Sequence, residues 1–299
     1  MKKFTISTDN CPDFYKDFMD LHDIYCLPLK RIQGGKEYAD IFNSEAEFEK
    51  IYEDIKAGAT PTTSQINPDE FITHFRRILK EQKSGDIIHV SLSSALSGTH
   101  NSAVIAAHQL NEELLGKGRK IHAVDSLNVC GAMQMMIDKL LEMQEAEPHL
   151  AINAIEQMRE NQQLYFMVDD LFHLKRGGRV SGAKALLGTL LGIKPVLVVN
   201  KAGKLAIVDK IRGGKHAVKY FMEKLEKMAP TPGYDYHGKP IYVVRTTKNE
   251  VYDLLKEAVK VKYPHAHVVE GIVGPIVGSH VGSGCAAIIF EGAPRLDAK

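Results

Sequence analysis

No two cysteines in this chain stand at CxxC spacing, and the four present, Cys11, Cys26, Cys130 and Cys285, are scattered along 299 residues. That pattern argues against a cysteine-built zinc site or a disulfide framework and fits reduced thiols. Charge of one sign is missing as well: 38 Lys plus Arg stand against 37 Asp plus Glu, a formal net charge of +1. Without a basic excess there is no electrostatic footprint for nucleic acid or for an anionic membrane surface. No apolar run approaches a bilayer span, and residues 1–5 hold no signal core. The expectation is a cytoplasmic protein with no nucleic-acid partner and no stable membrane insertion.

Cofactor motifs are missing too. There is no G-x-x-x-x-G-K-[ST], and Gly213-Gly214-Lys215-His216 lacks both the first glycine and the hydroxyl that should follow the lysine. Thr8-Asp9-Asn10 stands where a dinucleotide fingerprint would follow the first strand. None of the 13 histidines forms H-E-x-x-H, and His265-Ala266-His267 is expected to be two surface imidazoles flanking a strand start. The chain is therefore expected to bind no cofactor and no metal. Repeats, low-complexity tracts and heptad runs are likewise absent.

What is there is an ordinary globular composition, 44% hydrophobic and 25% charged, in a chain long enough for two domains. Strand patterns at residues 4–7, 24–28, 87–90 and 121–124 alternate with helical patterns at 45–55, 71–79, 101–115 and 129–143, and Gly34-Gly35 marks a hairpin turn. Such alternation predicts an α/β domain with a mainly parallel sheet flanked by helices, its ligands beyond the carboxyl ends of the strands. The loops after Ser7, Val90 and Val124 should then share one edge. A boundary is expected near residues 164–170, giving domains 1–165 and 166–299. The second part has apolar runs at 195–199, 205–208, 241–244 and 286–290 and helices at 217–228 and 251–261. Its sheet is expected to be mixed, because Asn200-Lys201-Ala202-Gly203 is short enough for a hairpin between adjacent strands.

The most informative stretch is Ser91-Leu92-Ser93-Ser94-Ala95-Leu96-Ser97-Gly98-Thr99, which sets five hydroxyls between a strand and a helix start. A helix N-terminus offers unpaired N–H groups and a positive dipole end, so hydroxyls there help hold a carboxylate or phosphate. The plainer reading is that Ser97 or Thr99 caps the helix. Thr62-Thr63-Ser64-Gln65 is a second hydroxyl-rich loop. Residues 278–284 read as a glycine-rich loop around His280, and residues 174–181 as a basic turn before a helix capped by Ser181.

A serine hydrolase is the rival reading. Ser97 lies between small residues at a strand-to-helix turn, and Asp125 and His280 would complete a triad in the order Ser, Asp, His, although G-x-S-x-G is not met. A carrier of another amphiphile is the third.

In their joint order, Thr63-Ser64-Gln65, residues 93–99, Val124-Asp125-Ser126, residues 174–181, Lys194-Pro195 and residues 278–282 resemble the DegV family of bacterial fatty-acid-binding proteins over nearly the whole chain. Two departures stand out: Ile66-Asn67 replaces the usual Pro-Ser, and Ser283 stands where the last loop commonly has proline.

The resemblance implies a long-chain fatty acid buried between two domains, its carboxylate held by hydroxyls. It carries ligand-binding roles to Thr63, Ser64, Ser94, Ser97 and Gly98, places His280 nearby and Arg212 near the pocket mouth. It makes the chain a carrier and no enzyme, acting in phospholipid metabolism by presenting its ligand to a separate ATP-using fatty acid kinase that forms an acyl phosphate. Arg212, Lys215, Arg176 and Arg179 are then candidates to dock the kinase or the acyl phosphate. Residues 182–193, rich in Leu and Ala, are the expected wall of the apolar tunnel.

Overall fold

The computed structural model describes residues 2–169, 171–180, 192–295 and 297. In chain order its elements begin with β1 (Phe4–Thr8), α1 (Lys16–Leu21), β2 (Tyr25–Cys26), β3 (Lys30–Gln33), β4 (Lys36–Tyr38), α2 (Glu45–Lys56) and β5 (Thr62–Ser64). Next come α3 (Pro68–Glu81), β6 (Asp86–Ser91), α4 (Thr99–Glu113), β7 (Ile121–Asp125), α5 (Gly131–Glu142), α6 (Pro148–Asn161) and β8 (Gln162–Met167). The chain continues with α7 (Phe172–Arg176), β9 (Ile193–Val199), β10 (Leu205–Arg212), α8 (Gly214–Lys227) and β11 (Pro240–Arg245). It closes with α9 (Glu250–Lys262), β12 (His267–Ile272), α10 (Pro275–Val281) and β13 (Ala286–Glu291). Two compact units result: Met1–Ser44 with Thr63–Arg159, and Glu45–Thr62 with Glu160–Lys299.

The first unit is built on a four-stranded parallel sheet of order β2-β1-β6-β7. Phe4, Ile6, Ile87, Ile88 and Val90 are buried in it, which is why these strands read as continuous apolar runs. The register sets Thr8 beside Val90 and Ser91 beside Asp125, so the loops after β1, β6 and β7 leave from one edge, as expected. Helix α3 starts at a complete capping box: the Glu70 N–H donates to Asn67 Oδ1 and the Asn67 N–H to Glu70 Oε2, both at 2.9 Å, with Pro68 in the first turn. Asn67, a departure from the family pattern, thus does the capping work of a serine. A small sheet of order β4-β3-β5 carries the expected hairpin, with Gly34 and Gly35 at φ of 59° and 74°.

The second unit has a six-stranded mixed sheet of order β10-β9-β8-β13-β11-β12, antiparallel except for β11 with β12. The 200–203 hairpin closes by Asn200 N–H to Lys204 O and Gly203 N–H to Asn200 O, each 2.9 Å. Helices α8 and α9 bury Phe221, Leu225, Leu255 and Val259 against this sheet's core.

The structure departs from the sequence reading in several places. Residues 45–62, expected in the first domain, belong to the second unit, because the buried stripe Phe48, Ile51, Tyr52 and Ile55 of α2 faces α10 and because Arg245 pairs with Glu45 and Glu49. Residues 160–165, placed before the boundary, lead into β8 of the same unit. Helix α6 was not foreseen, β12 starts at His267 beside the expected strand start, and β2 shrinks to two residues. The glycine-rich segment around His280 is largely helix, not loop: Pro275 opens α10, and His280 sits in its last turn. Ser181 and the expected tunnel wall at 182–191 lie outside the described residues.

Candidate functional site

At the carboxyl edge of the parallel sheet, three consecutive backbone N–H groups are taken up by neighbouring loops. Leu92 N–H donates to Asp9 Oδ2 at 2.7 Å, Ser93 N–H to Asn128 O at 2.9 Å, and Ser94 N–H to Asp125 Oδ1 at 3.1 Å. The chain then turns tightly, with Leu96 N–H and Ser97 N–H both donating to Ser93 O, before α4 begins at Thr99. Asp9 is fully buried, and desolvation pushes its carboxyl up to about 6 despite the two backbone N–H groups, of Leu92 and Cys11, that favour the charged form.

The five hydroxyls of this stretch divide into two sets. Ser91, Ser93 and Thr99 are buried. Ser93 Oγ accepts from Ala95 N–H at 3.2 Å, and Thr99 Oγ1 shares a 2.9 Å hydrogen bond with Ser97 Oγ. Ser94 is exposed and Ser97 half-buried, so these two are the hydroxyls of the stretch open to solvent. Gly98 is exposed and flanked by the Gln65 carboxamide, which occupies the space a Cβ would need. That packing brings the Thr63-Ser64-Gln65 segment, with Thr63 and Ser64 half-buried, beside the Ser97-Gly98 turn. Gly98 has an ordinary negative φ, so its lack of a side chain matters for the space that Gln65 fills rather than for conformation.

Within the second unit, the two glycine-containing segments meet. The His280 ring fills the place of a Cβ at Gly177, the His173 ring that of a Cβ at Gly282, and α7 packs on α10. Burial, then the positive charges of Arg179 and Arg176 and finally His173, hold the His280 imidazole down to about 4. At neutral pH it is an uncharged hydrogen-bonding group. Arg176 is spent on structure: its Nη2 donates to Pro61 O at 2.8 Å and more weakly to Ser279 O at 3.4 Å, and its guanidinium lies 5.8 Å from the Phe172 ring. Arg212 and Lys215 stand exposed at the end of β10 and the start of α8. Among the described residues no hydrogen bond or ion pair joins the Arg212 side chain to the His280 cluster.

The geometry gives the hydrolase reading no support in the first unit. Ser97 Oγ pairs with the Thr99 hydroxyl and accepts from Thr99 N–H at 3.3 Å, and Asp125 Oδ1 accepts the N–H groups of Ser94 and Leu127. The sequence reading missed a buried cluster, Ser7 Oγ at 2.9 Å from His74 Nε2 and 2.8 Å from His89 Nδ1, because its members are 67 and 82 residues apart in the chain. Burial holds His74 down to about 3 and His89 well below its usual value. All four cysteines are free thiols. Among the described residues there is no group that would hold a metal ion, and no helix is long and apolar enough to cross a membrane.

A family model described as "Uncharacterised protein, DegV family" matches residues 3–293. A DegV domain-containing protein of Clostridium perfringens is 34% identical over 294 residues, spanning 98% of each chain. One of Listeria monocytogenes is 34% identical over 294 residues and 96% of each chain. Among solved structures, DegV of Bacillus subtilis, described as a fatty acid binding protein, superposes with a TM-score of 0.80 at 28% identity, over 98% of this chain and 100% of that one. A DegV family protein of Thermus thermophilus, described by its fatty acid binding, gives 0.80 at 26% identity over the same shares.

Proposed function

This chain belongs to the DegV family, and from that premise we propose that it binds a long-chain fatty acid and holds the carboxylate at the hydroxyl edge of the first unit. The observation that carries the reading is the division of the hydroxyls: Ser94 and Ser97 face outward beside Thr63 and Ser64, while the remaining three are buried in the scaffold. The fatty acid binding of the Bacillus and Thermus proteins, alike over almost the whole chain, supports the same ligand class.

A carboxylate leaving water needs several hydrogen bonds to replace its hydration, and hydroxyls with the Gly98 N–H supply them without an internal ion pair. The alkyl chain adds about 0.8 kcal/mol per buried methylene, so it dominates affinity once the head group is satisfied. Arg212 and His280 keep the ligand-binding roles carried over from the family, His280 as a neutral hydrogen-bonding group.

The proposal extends to a partner. A separate ATP-using kinase takes the presented acid: a carboxylate oxygen attacks the γ-phosphorus, the bond from that phosphorus to the β–γ bridging oxygen breaks, and ADP leaves with an acyl phosphate formed. The sequence's lack of a P-loop or dinucleotide motif fits this division of labour. Native mass spectrometry of the purified protein tests the reading: an added mass that organic extraction identifies as a fatty acid is expected. A protein that carries none and refuses added oleate and palmitate contradicts it.

A further inference from the structure

Asp125, the residue a hydrolase would use as triad acid, has a different place in the fold. It ends β7, and its Oδ1 accepts two backbone N–H groups at once, from Ser94 at 3.1 Å and from Leu127 at 2.9 Å. The Leu127 bond closes a side-chain turn that holds this residue at a φ of 47°, a left-handed backbone unusual for leucine. Ser126 continues the bracket: its N–H donates to Ser91 O at 3.1 Å, while its Oγ donates to Asn128 O at 3.0 Å. The Asn128 carbonyl also accepts from Ser93 N–H. The segment 125–128 therefore clasps residues 91–94 from the neighbouring strand's end. Arg159 Nη1 donates to Asp125 O at 2.6 Å. Of these bonds, the Ser94 one is the last before the turn that carries Ser97 and Gly98.

We infer that Asp125 is a positioning residue for head-group recognition, its carboxylate fixing the Ser94–Gly98 turn so that the hydroxyls meet a carboxylate in one preset geometry. This rests on the fatty-acid reading above. Without the bond, Ser94 N–H is released and the entry to the turn is held by the Leu92 and Ser93 N–H bonds alone. The hydroxyls then have to be ordered by the ligand itself, which weakens binding of the group they contact and leaves the alkyl contacts alone.

The test compares two ligands that differ at the head, oleate and oleyl alcohol, on the full chain. Asp125→Ala is expected to weaken oleate binding about tenfold, the equivalent of losing about 1.4 kcal/mol, while oleyl alcohol affinity stays within about twofold. Asp125→Asn, whose amide oxygen still accepts both N–H groups, is expected to restore oleate binding to within about threefold of wild type. Asp125→Glu keeps the charge but moves it one methylene along; it is expected to lose oleate selectivity like Asp125→Ala and serves if the alanine variant does not fold. Equal losses for both ligands, or unchanged oleate binding in the alanine or glutamate variant, overturn the inference while leaving fatty-acid binding standing. A wild-type protein that binds no oleate removes the fatty-acid reading itself.

Discussion

Tyr52 Oη donates to the carbonyl of Val273 at 2.6 Å, and its ring occupies the space that a Cβ on Gly278 would fill. This relationship ties α2 to α10 inside the second unit and explains why a helix of that unit is borrowed from residues 45–56. Gly278→Ala must displace a buried ring, so it should destabilise the protein by about 1–3 kcal/mol, as overpacking of a close-packed interior does. Urea unfolding measures this, and an unchanged midpoint would show that the two helices separate without cost.

Hydroxyl substitutions should divide as the burial does. Ser94→Ala is expected to lower oleate affinity about tenfold, because a hydrogen bond to a charged group contributes about 1.5–3 kcal/mol before rearrangement. Ser91→Ala, at a buried Oγ with no hydrogen-bond partner among the described residues, should leave oleate affinity unchanged and stability equal or slightly raised. Calorimetric titration of both variants with oleate separates them; the opposite order of effects would place the ligand elsewhere.

Ser97 should behave as an unactivated hydroxyl. Its Oγ is engaged with Thr99 and not with an imidazole in its own unit. A fluorophosphonate probe is therefore expected to leave the protein unlabelled, with intact mass as the readout. Stoichiometric labelling lost in Ser97→Ala would restore the hydrolase reading.

Stability should fall with acid from pH 6.5 downward. His74 and His89 have depressed values, so below pH 6.5 the unfolded chain takes up protons that the folded one refuses, and each contributes a loss approaching about 1.4 kcal/mol per pH unit. Asp9 works the other way: raised to about 6, it binds a proton on the folded chain between pH 6 and 3.8, where the unfolded chain does not, and so adds stability as pH falls through that window. His280, held down to about 4, adds to the loss, so the histidines outweigh the one carboxyl. His74→Gln is expected to flatten the stability curve between pH 6.5 and 4, and Asp9→Asn to steepen it. Urea midpoints across that range decide, and slopes equal to wild type in both variants would show that neither group titrates differently on folding.

Much of the fold was legible because most strands of the two larger sheets are short apolar runs and the turns at Gly34-Gly35 and 200–203 have clear turn chemistry. The hydroxyl edge was legible too, since a parallel sheet puts the loops after Ser7, Val90 and Val124 together. Three features were not. Gly278 looked like a turn glycine, because only the folded chain brings Tyr52, 226 residues earlier, against it. The apolar stripe of α2 announced a buried face but not which sheet it would join. Asn67 was read as a departure from a family pattern, although Asn67 and Glu70 spell a capping box at the correct spacing. Burial also split five similar hydroxyls into scaffold and surface, which composition does not reveal.

The central claim is that the carboxylate of a long-chain fatty acid rests on the Thr63, Ser64, Ser94 and Ser97 hydroxyls. The most direct measurement is carbon-13 NMR of oleate labelled at its carboxyl carbon and bound to the full chain. The predicted result is a carboxyl resonance displaced from that of free oleate, insensitive to pH near neutrality and moved again by Ser94→Ala and by Thr63→Val. A resonance that titrates like free oleate and ignores both substitutions would contradict the account.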